Sequence, residues 1–330
     1  MTPRAPADRT LTIALANFDR HVPFFLDWLT PAEGFRLKAL DVGINPPGRD
    51  GGDRHGRMLR DGEFDVAELS LASYVMAKAR GADLTAVPVF PRRLFSQNHI
   101  LVRHDAGIRE PRDLIGRRVG IRSFQVTLSV LAKGDLKSVY GVPWEEIRWV
   151  VQEAEEIAWT DPSISIERMP PGRKGAELLL AGEIDAFIDP RPPASVLDAT
   201  DMVRPLFDDP RAECERYFRE RGAFPAMHVL ALKAPLADEL PHLPAHLIAA
   251  WEESKRKALA AWEDFAHTLL PFGRHAFVED RRRFGPDPWP SGLAANRVNL
   301  SWFLDYMTDQ RLLPRAPRVE DLFHPSVLAT

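Results

Sequence analysis

Two apolar, strand-like segments carry residue types that can exchange protons. In FDVAELSLASY, Glu68 and Ser70 stand where the apolar run ends, and in GAFPAMHVLAL, His228 stands where one begins. A histidine in a cleft is a natural proton donor near neutral pH, and a carboxylate can orient it or polarise a substrate hydroxyl. We therefore predict His228 and Glu68 as catalytic residues and Ser70 as a ligand contact. Two other interpretations stay open: His228 as a satisfied core residue, and Glu68 as the partner of an arginine such as Arg93.

The turn RSFQVTLS offers three polar side chains where a predicted helix begins, namely Ser123, Gln125 and Thr127. Free backbone N–H groups and the helix dipole make a helix N-terminus favourable for an anion. We predict that these residues bind an anionic ligand. The alternative is simple N-capping by the serine or threonine.

Charged residues follow two other predicted strands. Asp19 and Arg20 lie in the turn ANFDRH, and Arg191 follows Asp189 and Pro190. A guanidinium can hold a carboxylate with two parallel hydrogen bonds. Asp19, Arg20 and Arg191 are therefore predicted ligand contacts, with a surface Asp–Arg pair as the alternative for the first two.

Sequence motifs for metal and nucleotide sites are missing. His242 and His246 have i,i+4 spacing, but Pro241 and Pro244 disturb the helix that would align them. The glycine-rich stretch GRDGGDRHG lacks the Lys and Ser/Thr of a phosphate-binding loop, and its surroundings, 43–56, predict a loop. The sequence predicts no metal site and no cofactor.

Composition narrows the class of protein. The chain has 330 residues and a formal net charge of −4, which argues against a nucleic-acid binder. No apolar run reaches the roughly 18 residues needed to cross a membrane. The N-terminal MTPRAPADRT does not resemble a signal peptide, and the single cysteine, Cys214, permits no internal disulfide. We expect a cytoplasmic protein without membrane or nucleic-acid partners.

The elements that would position these residues occur twice. IALANFDRHVPFFL can be aligned with VGIRSFQVTLSVLA, and MLRDGEFDVAEL with LLLAGEIDAFID, in the same order. Strands alternating with helices predict mostly parallel sheets flanked by helices, and two such lobes place ligands in the cleft between them. We predict an α/β protein with one lobe formed by 10–103 plus 211–330, including the C-terminal helices, and a second formed by 104–210.

Longer motifs indicate a family. The chain resembles the 4,5-dihydroxyphthalate decarboxylases in RMLRDGEFDVAELSLASY, VPVFPRR, DLIGRRVGI, YGVPWEEIRW, FPAMH and DPWPSGLAANR, and the resemblance covers nearly its whole length. It implies a two-lobed fold similar to type II periplasmic binding proteins, and an enzyme of aromatic compound catabolism. Arg93, which ends VPVFPRR, is one further ligand contact that we predict.

Two segments depart from the family pattern. After QVT, the family's Trp and Arg-Gly are Leu131 and Lys133-Gly134 here. The other departure follows VPVFPRR. Where the family carries Phe-Arg-His-Ser, this chain has Phe95-Ser96-Gln97-Asn98. If the missing arginine holds a phthalate carboxylate, the substrate differs, and Gln97 would supply a neutral contact. His99 is shifted by two places, which in a strand keeps the same face, so it can partly substitute.

The resemblance implies a lyase that removes CO₂ from a hydroxylated aromatic acid without a cofactor. In that mechanism His228 protonates the ring carbon while Arg20, Ser123, Gln125 and Thr127 bind a carboxylate. One alternative is a solute-binding protein for a small anionic or aromatic ligand, without catalysis. Another is a relative of thiamine-pyrimidine synthases, which is disfavoured because that family has a cysteine-rich motif. A homo-oligomer stays possible.

Overall fold

The computed structural model describes residues 9–43 and 52–330. Residues 1–8, and most of the predicted loop 43–56, lie outside the described residues. The strands are β1 Arg9–Leu15, β2 Phe35–Asp41, β3 Val66–Ser70, β4 Leu84–Val87, β5 Ile100–Arg103, β6 Arg118–Ile121, β7 Arg148–Val151, β8 Ile166–Arg168, β9 Ala186–Ile188, β10 Val203–Pro205 and β11 His228–Lys233. The α-helices are α1 Val22–Phe25, α2 Arg54–Leu59, α3 Leu71–Ala79, α4 Thr127–Tyr140, α5 Gly175–Leu180, α6 Ala194–Leu197, α7 Pro210–Arg221, α8 Ala234–Glu239, α9 Leu243–Ala261, α10 Gly273–Phe284 and α11 Leu293–Asp309.

The strands form two sheets with matching arrangements. The first has the order β2-β1-β3-β11-β4, and the second β10-β5-β9-β6-β7-β8. In the first, β1 runs parallel to β2 and β3, while β11 is antiparallel to β3 and β4. In the second, β6 is parallel to β7 and β9, while β5 is antiparallel to β9 and β10. The repeat seen in the sequence is therefore a repeat of topology, with β8 added at one edge.

Strand β5 corrects one predicted boundary. Residues up to 103 were predicted in the first lobe, but β5 pairs with β9 and β10 of the second sheet. The chain thus crosses between the sheets before β5, in the segment that follows β4. The other bounds of the two lobes stay a prediction.

The C-terminal helices pack differently from one another. Helix α9 lies on the first sheet, against β4 and α1. Helix α11 contacts α4, the helix that connects β6 and β7 of the second sheet. The close approach depends on Gly134, because a Cβ there would lie 2.1 Å from the ring of Tyr306. The C-terminal segment therefore joins the two halves.

The two-lobed type II α/β fold predicted from the sequence is confirmed, with sheets flanked by helices that are mixed where mostly parallel ones were predicted. Strand residues that face helices, such as Ile13, Val66 and Ile121, are fully buried. Burial of such apolar area is the main stabilising contribution to the two lobes. Among the described residues, no helix combines the length and apolar character needed to span a bilayer.

Candidate active site

A cleft of about 180 Å³ lies where the two sheets face each other. Its walls come from the end of β3, the start of β11, the turn before α4 and the segment after β9. The walls include residues of the segments ELSLAS, IRSFQVT and IDPRPP, together with Ala16 and Phe18 of ANFDRH. A cavity of about 150 Å³ is large enough for benzene, so this cleft has the size of one substituted aromatic ring.

Glu68 and His228 form a hydrogen-bonded pair at this cleft. The two strands that carry them run antiparallel, with His228 opposite Ser70 in the register. Nδ1 of His228 lies 2.5 Å from Oε1 of Glu68. Nε2 of His228 has no protein partner among the described residues, and the histidine lines the cleft. The two predicted catalytic residues are thus brought together in the geometry of a carboxylate–histidine proton relay.

Glu68 is held as a carboxylate. Its side chain is fully buried, and burial alone would raise its pKa, but the nearby Arg54 and the hydrogen bond from His228 outweigh burial and hold the pKa well below its usual range. Arg54 lies 3.3 Å from Oε2, which also accepts the backbone N–H of Ala16. The arginine that pairs with Glu68 is therefore Arg54, and Arg93 does not take this place.

His228 is neutral at neutral pH in the free protein. Burial lowers its pKa to about 4, against the opposing effect of the hydrogen bond to Glu68. Arg92 and Arg54 lower the pKa further. A neutral ring that donates from Nδ1 to Glu68 carries a free lone pair on Nε2. His228 therefore starts as a proton acceptor, and it becomes the predicted acid only after it has taken up a proton.

A second histidine, His55, was missed in the sequence. It lies at the start of α2, and its Nδ1 accepts the backbone N–H of Ser70 at 3.2 Å. Its ring stands edge-to-face against that of His228, with centroids 5.1 Å apart. The only signal in the sequence was a histidine at the start of a helix that leads directly into the strand carrying Glu68.

Ser70 and Thr127 join the two walls of the cleft. Ser70 is the residue before α3, where a serine usually caps its own helix, but its hydroxyl instead lies 2.9 Å from that of Thr127. The Thr127 hydroxyl also accepts the backbone N–H of Ala72 at 3.1 Å. Both side chains are buried, and their hydrogen bond holds the end of β3 against the start of α4. Only a small part of each side chain lines the cleft.

The turn before α4 is partly occupied by the protein itself. The carboxylate of Glu155 accepts the N–H groups of Phe124 and Gln125 at 2.7 and 3.0 Å. The side-chain amide of Gln125 exchanges two hydrogen bonds with the backbone of Ile157, so its donor and its acceptor are already engaged within the protein. Ser123 lines the cleft without a protein partner among the described residues. It is the free hydroxyl of this turn.

Two arginines face the cleft without an acidic partner among the described residues. Arg191, predicted from the sequence, follows β9, and Arg92 precedes the crossing to the second sheet. The side chain of Arg92 has no hydrogen-bond acceptor in the described part of the chain, whereas Arg122 pairs with Glu153 at 2.6 Å. Burial lowers the pKa of Arg92 to about 10. Arg92 and Arg191 are therefore two positive charges of the cleft that form no ion pair within the described residues.

Arg93 was predicted as a ligand contact, and the structure corrects this. Its guanidinium is buried and donates to the carbonyls of Phe224 and Pro290 and to the side chain of Asn296. Arg93 forms a strand-like bridge with Ala226, and neighbouring residues in extended chain point to opposite sides. Arg92 faces the ligand because Arg93 faces the core.

Asp19 and Arg20 line a different groove, which corrects a second prediction. That groove, of about 670 Å³, lies among Trp262, Phe277 and Trp289. The guanidinium of Arg20 stacks over the ring of Trp289 at 4.4 Å and donates to the Pro91 carbonyl at 2.7 Å. Asp19 is largely exposed and pairs with Arg20. The turn ANFDRH thus contributes its backbone and Phe18 to the cleft, but not its charges.

The departing segment 95–98 also lies away from the cleft. Ser96 donates to the buried carboxylate of Asp135 in α4 at 2.6 Å. Gln97 is fully buried, in a segment that packs against α4 and α7. His99 lines the aromatic groove, where burial lowers its pKa to about 4. Residues 96–99 form a 3₁₀ helix rather than a strand, so the argument from strand faces fails. Gln97 and His99 are therefore not brought to the predicted site.

Among residues 9–43 and 52–330, no group of three or more His, Cys, Asp and Glu side chains is arranged to hold a metal ion. Cys214 is free and buried, and burial raises its pKa to about 12.

Comparisons with known proteins agree with the fold and the motifs. Residues 34–150 match the family described as NMT1/THI5 like. The periplasmic aliphatic sulphonate-binding protein of Escherichia coli superposes with a TM-score of 0.57 at 14% identity, over 98% of this chain and 100% of that one. A Pseudomonas putida protein named 4,5-dihydroxyphthalate decarboxylase is 32% identical over 49% of this chain and 66% of its own length.

A Comamonas testosteroni protein of the same name is 34% identical over 333 residues, which cover 96% of this chain and 97% of that protein. Identity at this level across both whole chains extends far beyond the motifs of the cleft. The chain belongs to the 4,5-dihydroxyphthalate decarboxylase family.

Proposed function

We propose that this protein is a decarboxylase for a hydroxylated aromatic dicarboxylate similar to 4,5-dihydroxyphthalate, and that it works by acid–base chemistry without a cofactor. The observation that carries the proposal is the Glu68–His228 pair, whose free Nε2 opens into a cleft of the size of one ring. The name of the Comamonas testosteroni relative supports the same substrate class.

The charges of the cleft suit a dianion. Arg92 and Arg191 approach from the two walls without an ion-pair partner in the described residues. Burial lowers the pKa of both, and the positive charge of Arg191 lowers that of Arg92 further, as Arg122 and Arg54 do for Arg191. A ligand with two carboxylates would relieve that repulsion at both sites. Ser123 and the N-terminal amides of α4 supply neutral donors next to them. We propose that one carboxylate is bound on each wall.

The reaction then needs one proton at the ring carbon. Nε2 of His228 takes the proton from the ring hydroxyl that is conjugated with the reacting carbon. The resulting imidazolium gives that proton to the carbon bearing the carboxylate, and the ring becomes a ketone-like intermediate. The bond to the carboxylate breaks, CO₂ leaves, and the electron pair restores the aromatic ring with its oxygen as phenolate. Water supplies the proton that neutralises the phenolate, so the net consumption is one proton per CO₂.

Glu68 makes both steps of the relay possible. As a buried carboxylate it fixes the ring orientation through Nδ1 and stabilises the imidazolium that forms transiently. A positioned acid–base group commonly contributes about 10²–10⁴-fold to a rate. Arg54 keeps the carboxylate in place, because it pairs with Oε2 and donates to the backbone carbonyl of Glu68 at 2.7 Å.

The test is CO₂ release from a panel of hydroxylated phthalates and benzoates, measured with EDTA and with added divalent metals. We expect release from a hydroxylated phthalate at a rate that neither addition changes. Dependence on metal would contradict the cofactor-free mechanism. Thermal stabilisation by a panel compound, with no CO₂ from any of them, would instead support the alternative of a binding protein.

The variant His228→Ala separates catalysis from binding in the same assay. We expect kcat to fall at least about 10²-fold, since the proton relay is lost, while the dicarboxylate still stabilises the protein. Turnover within a few-fold of the unmodified protein would rule out the role given to His228.

A further inference from the structure

His55 has its proton position fixed by the fold. Its Nδ1 accepts the backbone N–H of Ser70 at 3.2 Å. A backbone amide can only donate, so Nδ1 of a neutral ring carries the lone pair and the proton resides on Nε2. Ser70 ends β3, and the same strand carries Glu68 two residues earlier. The strand that holds the carboxylate of the relay therefore also sets the tautomer of the second histidine.

The ring of His55 lies beside the relay rather than within it. It stands edge-to-face to His228, with centroids 5.1 Å apart, and it lines the same cleft. Its Nε2 has no protein acceptor among the described residues, while His228 directs Nδ1 away from the ligand to Glu68. Two imidazoles thus reach one ligand space in opposite states: His228 offers a lone pair, and His55 offers an N–H.

The surroundings keep His55 neutral. Burial, the positive charge of Arg54 and the proximity of His228 hold its pKa well below the usual range. A neutral imidazole donates a hydrogen bond without giving up its proton, so it can stabilise an oxygen anion without quenching it.

We propose that His55 is a second catalytic residue, whose Nε2–H donates to the ring oxygen that becomes anionic when His228 removes its proton. This inference rests on the decarboxylation proposed above. The donor is in place before the charge appears, which is the condition under which such a hydrogen bond lowers a barrier most. The relay moves the proton, and His55 stabilises the oxygen that has lost it.

Two isosteric variants test the inference. In His55→Asn, the side-chain oxygen can still accept the hydrogen bond from the Ser70 amide, but the shorter side chain has no donor at the position of Nε2. In His55→Gln, the longer side chain can place an N–H near that position. We expect His55→Asn to lower kcat by about 10²–10³-fold with KM within a few-fold, as for loss of one oxyanion donor. We expect His55→Gln to retain kcat to within about ten-fold of the unmodified protein. A kcat for His55→Asn within three-fold of the unmodified protein, or equal losses in both variants, would overturn the inference.

A spectroscopic titration gives an answer that does not depend on turnover. The probe is 4-nitrocatechol, whose ionised ring absorbs at longer wavelength. Bound to the unmodified protein or to His55→Gln, it should ionise at lower pH than when bound to His55→Asn. Identical titrations in all three proteins would contradict a donor role for His55. If no panel compound releases CO₂, the proposed function fails, and this titration still decides whether His55 holds the phenolate.

Discussion

Arg92 and Arg93 show how far neighbouring residues of one type can differ. Arg92 faces the cleft without a partner among the described residues, whereas Arg93 donates three hydrogen bonds in the core. An extended chain alternates its side chains, so the dipeptide itself predicts that only one arginine faces the ligand. Which one it is depends on the bridge to Ala226, a contact made more than a hundred residues later in the sequence.

This difference predicts opposite effects of the same substitution. Arg92→Gln should lower kcat/KM for a dicarboxylate by about 10- to 100-fold, since one charged hydrogen bond contributes about 1.5–3 kcal/mol. Its unfolding midpoint should hardly change, because the guanidinium stabilises no protein group. The measurements are steady-state kinetics and urea unfolding.

Arg93→Gln is the matched control. It removes donors from buried acceptors, so the free energy of unfolding should fall by about 1–3 kcal/mol while kcat/KM of the folded protein stays within a few-fold. If Arg93→Gln impaired kinetics more than Arg92→Gln did, the orientation of the two side chains would be the reverse of the one described.

The site residues predicted from the sequence were those at strand and helix ends. Ser70, Ser123, Thr127 and His228 all line the cleft, because each stands at a strand or helix end that faces it, and the fully buried Glu68 reaches the cleft through His228. The sequence did not show which side chains contact residues that are distant in the chain. Arg20 stacks on Trp289, which comes from a part of the chain that no local pattern connects with it.

Helix α4 illustrates how one element connects the site with the rest of the fold. Its first residue, Thr127, bonds Ser70 in the cleft, and Gly134, two turns further on, lies against Tyr306 of α11. The sequence predicted the helix from its apolar spacing. It gave no reason for a glycine in the middle of it, which usually costs about 1 kcal/mol relative to alanine.

The contact between Gly134 and Tyr306 explains the glycine, and it leads to a prediction. Gly134→Ala should lower the free energy of unfolding by about 1–3 kcal/mol, because the new Cβ would overlap the buried ring of Tyr306. Urea unfolding measures this directly. In a Tyr306→Ala background, the same change should instead be neutral or stabilising by up to about 1 kcal/mol, since only helix propensity remains. Equal losses in both backgrounds would show that the contact is not the cause.

The end of helix α9 shows that the spacing of apolar residues alone does not locate a helix terminus. The apolar residues of WEESKRKALAAWEDFAHTLL, residues 251–270, recur at helical spacing and predict a helix through residue 270, but α9 ends at Ala261. Phe265 and Leu269, which that spacing placed on the buried face, are exposed. The carboxylate of Asp264 accepts the N–H of Ala266 in a local turn, and this competes with continuation of the helix.

At the scale of the whole molecule, one buried polar cluster joins the two lobes and the crossing between them. Asp135 of α4 accepts hydrogen bonds from Ser96 of the crossing segment, Tyr217 of α7 and Tyr306 of α11. Arg221 donates to the Tyr306 hydroxyl from the same side. Burial raises the pKa of Asp135 to about 6, although its hydrogen bonds oppose the rise. The departure from the family pattern at 95–98 therefore concerns the junction of the lobes.

The raised pKa predicts a pH dependence with a definite sign. Between about pH 4 and 6 the folded protein keeps a proton on Asp135 that the unfolded chain has released. The contribution of this group to stability is therefore full below about pH 4 and is lost as the pH rises to about 6, by up to roughly 3 kcal/mol. Urea midpoints of the unmodified protein should fall relative to those of Asp135→Asn across this range. Parallel curves would mean that Asp135 titrates normally.

The position of β11 has a consequence for synthesis of the chain on the ribosome. β11 lies between β3 and β4, although both of those strands are made long before it. Until residue 233 has emerged, the first sheet has two open inner edges, which are prone to pair with other chains. Glu68 and His228 are 160 positions apart, and the strand that closes the sheet also delivers the histidine. A nascent chain can therefore form the Glu68–His228 pair only when β11 has closed the first sheet.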